Sequence, residues 1–377
     1  MPNDFTYLDH AATTPMRAEA VEAMLPFLTD QFANPSGSHR ASRQARKALD
    51  DAREVVAVGL GCEAGEVVFT GCGTESDNLA IGGVLARAGG TAVTTAAEHH
   101  AVLHAVEHAK GTVVGVDATG SVDLEQLEAA LTPEVRIVSV MLVNNEVGTI
   151  TPMQRVTRLV SKRAPQAVVH TDAVQAVMWV DVAHEAKHAQ LIAISAHKFG
   201  GPKGVGALVV RKGTTLTPML LGGGQERDLR SGTHNVAGIV AMAEALRLTV
   251  AERAIVNARV GALRDRLVDG LIAGIPNTIE TVSRDRKIAG SAHVCFDAVE
   301  NEALLFLLDR DGICASAASA CASGAMDPSH VLAAMGVSRS LALGSLRLTL
   351  GRTSTDADVD RALAVIPDAV ARCRRVA

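Results

Sequence analysis

The sequence predicts an α/β fold, with a mainly parallel seven-stranded sheet flanked by helices and a smaller α+β domain. Three observations lead to this prediction. Between about residues 50 and 250, apolar runs of strand length alternate with helical patterns, as parallel sheets with helical crossovers require. Residues 235–273 form one long helical stretch with at most one break. Beyond it, SAHVCFDAV and LRLTLG are strand-like runs among helical patterns.

Seven apolar runs account for the strands of the large sheet. Most are rich in β-branched side chains, and turn or helical segments separate them, which is typical of strands that are buried on both faces. The runs are VVFT (67–70), TAVTT (91–95), TVVGV (112–116), RIVSVMLV (136–143), AVVHT (167–171), LIAIS (191–195) and VGALVV (205–210).

Chain length and the long helical stretch predict two domains. At about 150 residues per domain, 377 residues correspond to two domains. We place the large domain at residues 16–254 and the small C-terminal domain at residues 255–377. Residues 1–15 form an N-terminal segment that is expected to join the small domain.

Composition excludes several classes of function. The 36 Lys and Arg residues against 41 Asp and Glu leave a net charge of −5, which indicates no nucleic-acid partner, and aromatic residues make up only 2%. No basic segment followed by an apolar one opens the chain, and no apolar run is long enough to span a bilayer. These features predict a cytoplasmic protein without a membrane partner. The six cysteines show no paired spacing, so neither disulfides nor a thiolate zinc site is predicted.

A glycine-rich turn follows the first apolar run. Residues 71–78 read GCGTESDN and lead into a helical pattern. Small residues before a helix expose backbone N–H groups, which together with the helix dipole suit a phosphate group. The turn lacks the third glycine of the dinucleotide fingerprint and the Gly-Lys-Ser/Thr of a P-loop, which disfavours NAD and ATP. Taken alone, it is indistinguishable from an ordinary turn.

A lysine and an aspartate follow two other runs. Lys198 comes shortly after LIAIS, next to His197, and Asp172 comes directly after AVVHT. Ligands of open parallel sheets bind beyond the carboxyl ends of the strands. A lysine in that place can form a Schiff base with a cofactor, and a carboxylate on a neighbouring strand can pair with a pyridinium nitrogen. Lys198 alone would be interpreted as a solvated surface residue. Its pairing with Asp172 on a neighbouring strand favours a catalytic lysine.

With these residues in place, the chain resembles the cysteine desulfurases, which belong to the class V aminotransferases of pyridoxal-phosphate fold type I. The motifs span nearly the whole chain and are specific as a set. They are YLDHAATTP (7–15), NPSGSH (34–39), TESDNLAI (74–81), AEHHAVL (97–103), NNEVGTI (144–150), DAVQ (172–175), SAHKFGGPKGVGAL (195–208), RSGTHN (230–235) and SLRLTLGR (345–352).

The resemblance implies that pyridoxal 5′-phosphate is the cofactor, bound mainly by the large domain. Lys198 would hold it, Asp172 would contact its pyridine nitrogen and Gln175 its phenolic oxygen. His99 would stack on the ring, and Asn145 would lie beside ring and substrate.

The resemblance also implies a phosphate site and a homodimer. Thr233 would reach the phosphate from a second subunit. Ala196 stands where many relatives have glycine, and His100 where lysine is common, but neither position carries a group that the chemistry needs. The expected phosphate-binding residues of the same chain are Gly73, Thr74, Ser195 and His197, and Ala196 is expected to contact the cofactor.

The substrate implied by the resemblance is L-cysteine. Arg347 would grip its carboxylate with two parallel hydrogen bonds, and Asn34 would assist. Cys321 would accept the sulfur as a persulfide, with His99 taking up the thiol proton. Residues 316–332, SAASACASGAMDPSHVL, are similar to the longer catalytic loop of the group that supplies iron–sulfur cluster assembly, and they place this loop in the small domain.

Several alternatives stay open. The persulfide acceptor would be an iron–sulfur scaffold protein or a tRNA thiolation enzyme. A selenocysteine lyase or another class V aminotransferase would share most of the motifs. A sulfur-transfer scaffold that has lost catalysis is a third alternative, although Lys198, Asp172, His99 and Cys321 are all present.

Two histidine patterns have the spacing of metal sites. Residues 184–188 satisfy the H-E-x-x-H pattern, but they lie in a short polar connection between two predicted strands. His100, His104 and His108 recur every four residues and are expected to mark one partly solvated helix face, since no carboxylate or cysteine completes a set of ligands. We therefore predict no metal site.

Overall fold

The computed structural model describes residues 5–317 and 328–376, and its strands form three sheets. The strands of these described residues are β1 (Thr6–Tyr7), β2 (Val67–Thr70), β3 (Thr91–Thr95), β4 (Thr112–Val114), β5 (Val135–Ser139), β6 (Val168–Asp172), β7 (Leu191–Ser195), β8 (Gly206–Val210), β9 (Thr278–Glu280), β10 (Ser291–Phe296), β11 (Ile313–Cys314) and β12 (Ser345–Thr349).

The largest sheet has seven strands in the order β2-β8-β7-β6-β5-β3-β4. The strands from β7 to β4 run parallel, and β8 is antiparallel to both β7 and β2. In the register of the central pair, Thr171 of β6 lies opposite Ile192 of β7. The predicted mainly parallel seven-stranded sheet is therefore confirmed.

Helices cover the sheet. Two clusters of buried apolar side chains pack against it, and the helix Gly73–Ala88 contacts six of its seven strands. The helices of the described chain are α1 (Ala18–Leu28), α2 (Arg40–Leu60), α3 (Gly73–Ala88), α4 (His100–His108), α5 (Leu124–Ala130), α6 (Met153–Arg163), α7 (Val182–Glu185), α8 (Val236–Gly274), α9 (Asn301–Arg310), α10 (His330–Ala334), α11 (Arg339–Ala342) and α12 (Asp356–Val376).

The long helical stretch of the sequence is a single helix, α8, of 39 residues. Its first half packs on α1 and α2, and its length brings it to β9, β10 and α12 as well. The expected boundary between residues 254 and 255 falls inside this helix. The division into two domains at that point stays a prediction.

The C-terminal part contains the smaller α+β arrangement that the sequence predicts. Its sheet has the order β12-β10-β9 and is antiparallel, with His293 of β10 opposite Arg347 of β12. Near the N-terminus, β1 pairs in parallel with β11, and Asp9 forms a bridge with Thr349 of β12. The N-terminal segment thus lies against elements that are more than 300 residues away in the sequence.

One strand is shorter than predicted. The run at 136–143 reads as a continuous strand, but β5 ends at Ser139. The backbone N–H groups of Val140 and Leu142 still donate to the carbonyl oxygens of His170 and Asp172. Residues 137–143 are buried and Arg136 is half-buried, so the apolar pattern of the run reports burial rather than regular strand geometry. Within residues 5–317 and 328–376, no helix combines the length and the apolar character that crossing a membrane requires.

Candidate active site

A cavity of about 330 Å³ lies at the carboxyl ends of the parallel strands. This is where polar residues that directly follow neighbouring strands converge. Its walls bring together ten of the residues expected in the site, contributed by the ends of several strands and the start of one helix. They are Gly73, Thr74, His99, Asn145, Asp172, Gln175, Ser195, His197, Lys198 and Arg347.

Lys198 lies in a short 3-10 turn, Ala196–Lys198, that directly follows β7. Its Nζ donates hydrogen bonds to the carbonyl oxygens of Ala11, at 2.5 Å, and Ala12, at 2.9 Å. Gln175 Nε2 donates to the same Ala11 oxygen at 2.8 Å. Burial, helped by the nearby Arg347 guanidinium, lowers the pKa of Lys198 to about 8. A useful fraction of this amine is therefore neutral near physiological pH, as a nucleophile or base requires.

Asp172 is the last residue of β6 and is 5% exposed. One carboxylate oxygen accepts the backbone N–H of Val174 at 2.8 Å. Burial raises the pKa of Asp172, while His99, the Val174 N–H and Lys198 oppose that rise. The carboxylate of Asp172 thus interacts with the amine of Lys198, from β6, the strand next to the one that precedes this lysine.

The start of α3 forms one wall of the cavity. Gly73 is its first helical residue, and a Cβ atom at this position would lie 2.7 Å from Cγ2 of Val174. Only glycine therefore lets the helix begin this close to the turn after β6. The first N–H groups of a helix have no intrahelical partner, so those at Gly73 and Thr74 are available to an anion.

The last residue of β7 and the second residue after it line the same wall. Ser195 ends the strand, and His197 Nδ1 lies 3.1 Å from Oγ1 of Thr13. Burial, with a smaller contribution from Lys198, lowers the pKa of His197 to about 4, so this ring is neutral at physiological pH. Ala196, also expected to bind the cofactor, is fully buried and does not line the cavity; its N–H donates to the Val205 carbonyl.

His99 projects into the cavity from the residue before α4. Its Nδ1 accepts the backbone N–H of Ala101 at 3.1 Å, which caps the helix and fixes the ring. His99 is exposed at the cavity, and partial desolvation of its ring is the main cause that lowers its pKa below the usual 6.5. A neutral imidazole in this position can accept a proton.

Glu98, which the sequence reasoning did not single out, anchors this loop. It is fully buried, and Oε1 accepts the Thr95 hydroxyl and the Met141 N–H, each at 2.9 Å. Its backbone carbonyl accepts a hydrogen bond from His330 at 2.9 Å. Burial raises the pKa of Glu98 to about 8, so the side chain is protonated at neutral pH.

This buried acid predicts a pH-dependent stability. The folded protein holds the Glu98 proton up to about pH 8, whereas the unfolded chain releases it near the ordinary value of 4.5. Unfolding therefore releases a proton between these pH values, and stability falls as the pH rises, by up to about 1.4 kcal/mol per pH unit. Glu98→Gln keeps the acceptor oxygen and removes the titration, so its denaturant unfolding free energy should fall less between pH 5 and pH 8.

The matched control is Glu22→Gln, the same change on an exposed face of α1. Its unfolding free energy should follow the wild-type pH profile. Parallel profiles for the wild type and Glu98→Gln would show that Glu98 does not titrate in this range.

Arg347, from β12, closes the cavity on the side of the small sheet. One terminal nitrogen donates to the carbonyl oxygen of Asn145 at 3.0 Å, and the other donates to a carboxylate oxygen of Asp9 at 2.8 Å. Among the residues that the structure describes, the buried Nε of Arg347 and Oδ1 of Asn145 have no hydrogen-bond partner. The guanidinium is thus held in place and still has N–H groups to offer a carboxylate.

Two expected residues lie elsewhere, and a third is not described. Asn34 is exposed, and its side chain accepts the N–H of Ser36 at 2.9 Å. Thr233 is also exposed, and neither residue lines the cavity of its own chain. Cys321 lies outside the described residues.

The histidine patterns have ordinary surroundings. The helix α7 ends at Glu185, so the H-E-x-x-H pattern is not carried by one helix, and both of its histidines are exposed. The ring of His100 lies 4.7 Å from that of His104 and 4.5 Å from that of His330, centroid to centroid. Within residues 5–317 and 328–376, no group of three or more His, Cys, Asp or Glu side chains is arranged to hold a metal ion.

Comparisons with known proteins agree with this architecture. The family model for aminotransferase class-V matches residues 6–362. An IscS-like cysteine desulfurase of Mycobacterium tuberculosis is 46% identical over 98% of both chains. The cysteine desulfurase IscS of Methanosarcina thermophila is 42% identical over 99% of this chain and 94% of its own.

Solved structures match over the same length. A NifS-like protein superposes with a TM-score of 0.91 at 35% identity, covering 98% of this chain and 100% of the other. A structure described as SspA in complex with cysteine gives a TM-score of 0.80 at 30% identity, covering 93% and 100%. These matches confirm the predicted fold and the predicted family. The chain therefore belongs to the aminotransferase class-V family and, within it, to the cysteine desulfurases.

Proposed function

We propose that this cysteine desulfurase binds pyridoxal 5′-phosphate at Lys198, converts L-cysteine to L-alanine, and leaves the sulfur on Cys321 as a persulfide. The observation that carries the proposal is the pairing of a desolvated lysine and a desolvated aspartate. Asp172 ends β6, and Lys198 follows the adjacent strand β7. Both residues line one cavity, and each affects the pKa of the other. The solved relative that holds cysteine supports this substrate.

The residues of the cavity fit the cofactor. The helix start at Gly73, where a Cβ atom would lie 2.7 Å from Val174, leaves backbone N–H groups open to a phosphate. Asn145 Oδ1, buried and without a partner among the described residues, offers a polar contact in the cavity wall. Asp172 would face the pyridine nitrogen, and Gln175 the phenolic oxygen. The other proposed contacts are Thr74, Ser195 and His197 with the phosphate and His99 with the ring face.

The catalytic residues have complementary protonation states. Pyridoxal phosphate, when bound, supplies an electron sink for the substrate carbon that loses its proton. Nζ of Lys198, with its pKa lowered to about 8, takes the Cα proton of the bound cysteine. Burial raises the pKa of Asp172, while His99, the Val174 N–H and Lys198 oppose that rise. As a carboxylate, Asp172 would pair with the pyridine nitrogen and strengthen the electron demand of the ring.

Sulfur transfer is the second half of the reaction. His99, neutral because desolvation lowers its pKa, accepts the proton of the Cys321 thiol. The Cys321 thiolate attacks the substrate sulfur, the new S–S bond forms, and the Cβ–S bond breaks with its electron pair going to carbon. Protonation of that carbon gives alanine, so one cysteine and one enzyme thiol become one alanine and one persulfide. No external oxidant is needed.

A second subunit completes the proposed site. Thr233 is exposed on its own chain, and the nearby side chains of Met219, Leu220 and Leu221 are 53%, 45% and 83% exposed. An apolar surface of this kind suits a homodimer interface, from which Thr233 would reach the partner's phosphate site. Sedimentation velocity tests this, since a monomer at micromolar concentration would contradict it.

The persulfide needs an acceptor. We propose that a protein receives it in the cytoplasm, either an iron–sulfur scaffold or a tRNA thiolation enzyme. Transfer assays with radiolabelled cysteine and each candidate acceptor distinguish the two, because only the true acceptor should remove the label from Cys321 at a rate that matches turnover.

The direct test of the activity is the formation of L-alanine from L-cysteine. Purified protein with added pyridoxal phosphate and a thiol reductant should release alanine and sulfide in a 1:1 ratio. Alanine formation from selenocysteine but not from cysteine would instead identify a selenocysteine lyase. A protein that forms no alanine from either would favour the non-catalytic scaffold.

The substrate carboxylate offers a sharper test at Arg347. Arg347→Lys keeps the charge but loses the planar fork that matches a carboxylate. A charge-assisted hydrogen bond contributes about 1.5–3 kcal/mol, so KM for L-cysteine should rise about 10–100-fold. Cysteamine lacks the carboxylate. The ratio of kcat/KM for cysteine to kcat/KM for cysteamine should therefore fall by the same factor.

Arg46→Lys makes the same substitution on an exposed face of α2 and should leave both values unchanged. An Arg347→Lys protein that keeps the wild-type preference for cysteine would rule out Arg347 as the carboxylate ligand.

A further inference from the structure

A second carboxyl group lies in the cavity beside Asp172. Asp77, on α3, is 1% exposed and lines the same cavity. Its Oδ1 lies 3.5 Å from Nε2 of His170, a residue of β6. Within the described part of the chain, neither of these two atoms has another hydrogen-bond partner. No step proposed so far uses Asp77 or His170.

The surroundings of the two carboxyl groups differ. Asp172 accepts the N–H of Val174 and lies near Lys198 and His99, which both oppose the rise in its pKa. Asp77 has no such donor, and the titratable groups that face it, besides His170, are acidic. They are Asp172, Glu98 and Cys72. Asp77 and Asp172 line one cavity, and Asp172 is among the groups that raise the pKa of Asp77. Two buried carboxyl groups that interact do not both ionise, so the proton that the pair retains belongs on Asp77.

His170 is placed to accept that proton in a hydrogen bond. The ring is fully buried, and burial lowers its pKa to about 3, so it is neutral. A neutral imidazole has one N–H and one acceptor nitrogen. Nδ1 lies 2.8 Å from Oγ of Ser139 and can donate to it. In that arrangement Nε2 is the acceptor, and it points at the carboxyl group of Asp77.

We propose that Asp77 is a positioning residue that stays protonated, donates to Nε2 of His170, and leaves Asp172 as the sole anion of the pair. The hydrogen-bonded series Asp77–His170–Ser139 would then carry no charge and would support the site next to the ionised Asp172. The part of this proposal that concerns the cofactor rests on the proposed function, whereas the protonation of Asp77 does not.

Infrared spectroscopy of the full-length protein tests directly whether the carboxyl group of Asp77 is protonated. The difference spectrum of wild type minus Asp77→Asn at pH 7 should contain the C=O stretch of a protonated carboxylic acid, both with and without pyridoxal phosphate. Asp51→Asn is the matched control on an exposed face of α2, and its difference spectrum should contain carboxylate bands only. Carboxylate bands for Asp77 would overturn the proposal. If Asp77→Asn does not fold, Asp77→Ala gives the same comparison.

A pH titration of the bound cofactor tests the role of Asp77 as a positioning residue. Asparagine mimics the neutral acid and can donate to His170. The pH midpoint of the change in cofactor absorbance in Asp77→Asn should therefore lie within about half a pH unit of the wild-type midpoint. Asp77→Ala removes the donor, and its transition should shift by about one unit or more. A shift of that size in Asp77→Asn would mean that an anion had been removed and would overturn the proposal. A protein that binds no cofactor would refute the proposed function while the infrared result still decides on Asp77.

Discussion

Purified Lys198→Ala protein should lack the near-visible absorption of the bound cofactor and should form no measurable alanine from L-cysteine. The substitution removes the only amine that lines the described cavity, together with its hydrogen bonds to Ala11 and Ala12. It therefore removes both the covalent anchor and the base. Loss of a positioned base alone lowers rates by about 10²–10⁴-fold. Absorption spectra and alanine assays on the same preparation measure both effects.

Lys203→Ala is the matched control. Lys203 lies five residues further along the chain and is exposed, so its loss should change neither the absorption nor the turnover. A Lys198→Ala protein that keeps the wild-type absorption and forms alanine would show that the cofactor is attached elsewhere.

Cys321→Ser should separate cofactor binding from sulfur transfer. The cofactor contacts proposed above do not include Cys321, so the absorption should persist. Without the thiolate there is no acceptor for the substrate sulfur, and we expect alanine formation to fall by at least about 10²-fold, as for the loss of a catalytic group. Mass spectrometry of the wild type after one turnover should find an added sulfur on the peptide that contains Cys321.

Cys62→Ser serves as the control, since Cys62 follows α2 and does not line the cavity. It should keep both the absorption and the activity. A fully active Cys321→Ala enzyme would contradict the sulfur assignment and would point to a selenocysteine lyase or another class V aminotransferase.

The fold and much of the cavity could be predicted from the sequence because of one geometric rule. The carboxyl ends of parallel strands share one edge of a sheet. Residues that lie just after strand-like runs, such as Asp172 and Lys198, are therefore expected to lie close together at that edge. The turn at Gly73 follows the same rule, whereas His99, Asn145 and Arg347 were expected from the resemblance to the cysteine desulfurases.

Other parts of the site depend on contacts that no local pattern encodes. Asp9 reaches Arg347 because β1 pairs with β11, across more than 300 residues. Glu98 and Asp77 sit in recognisable motifs, but the sequence does not show that both side chains turn inward. Carboxyl groups are seldom fully buried, so surface exposure is the natural expectation for them.

The attachment of the cofactor to Lys198 can be measured directly. Wild-type protein loaded with pyridoxal phosphate is reduced with borohydride, digested and analysed by mass spectrometry. We predict that the reduced cofactor is found on the peptide that contains Lys198. Its presence on another lysine, or on none, would contradict the proposed active site.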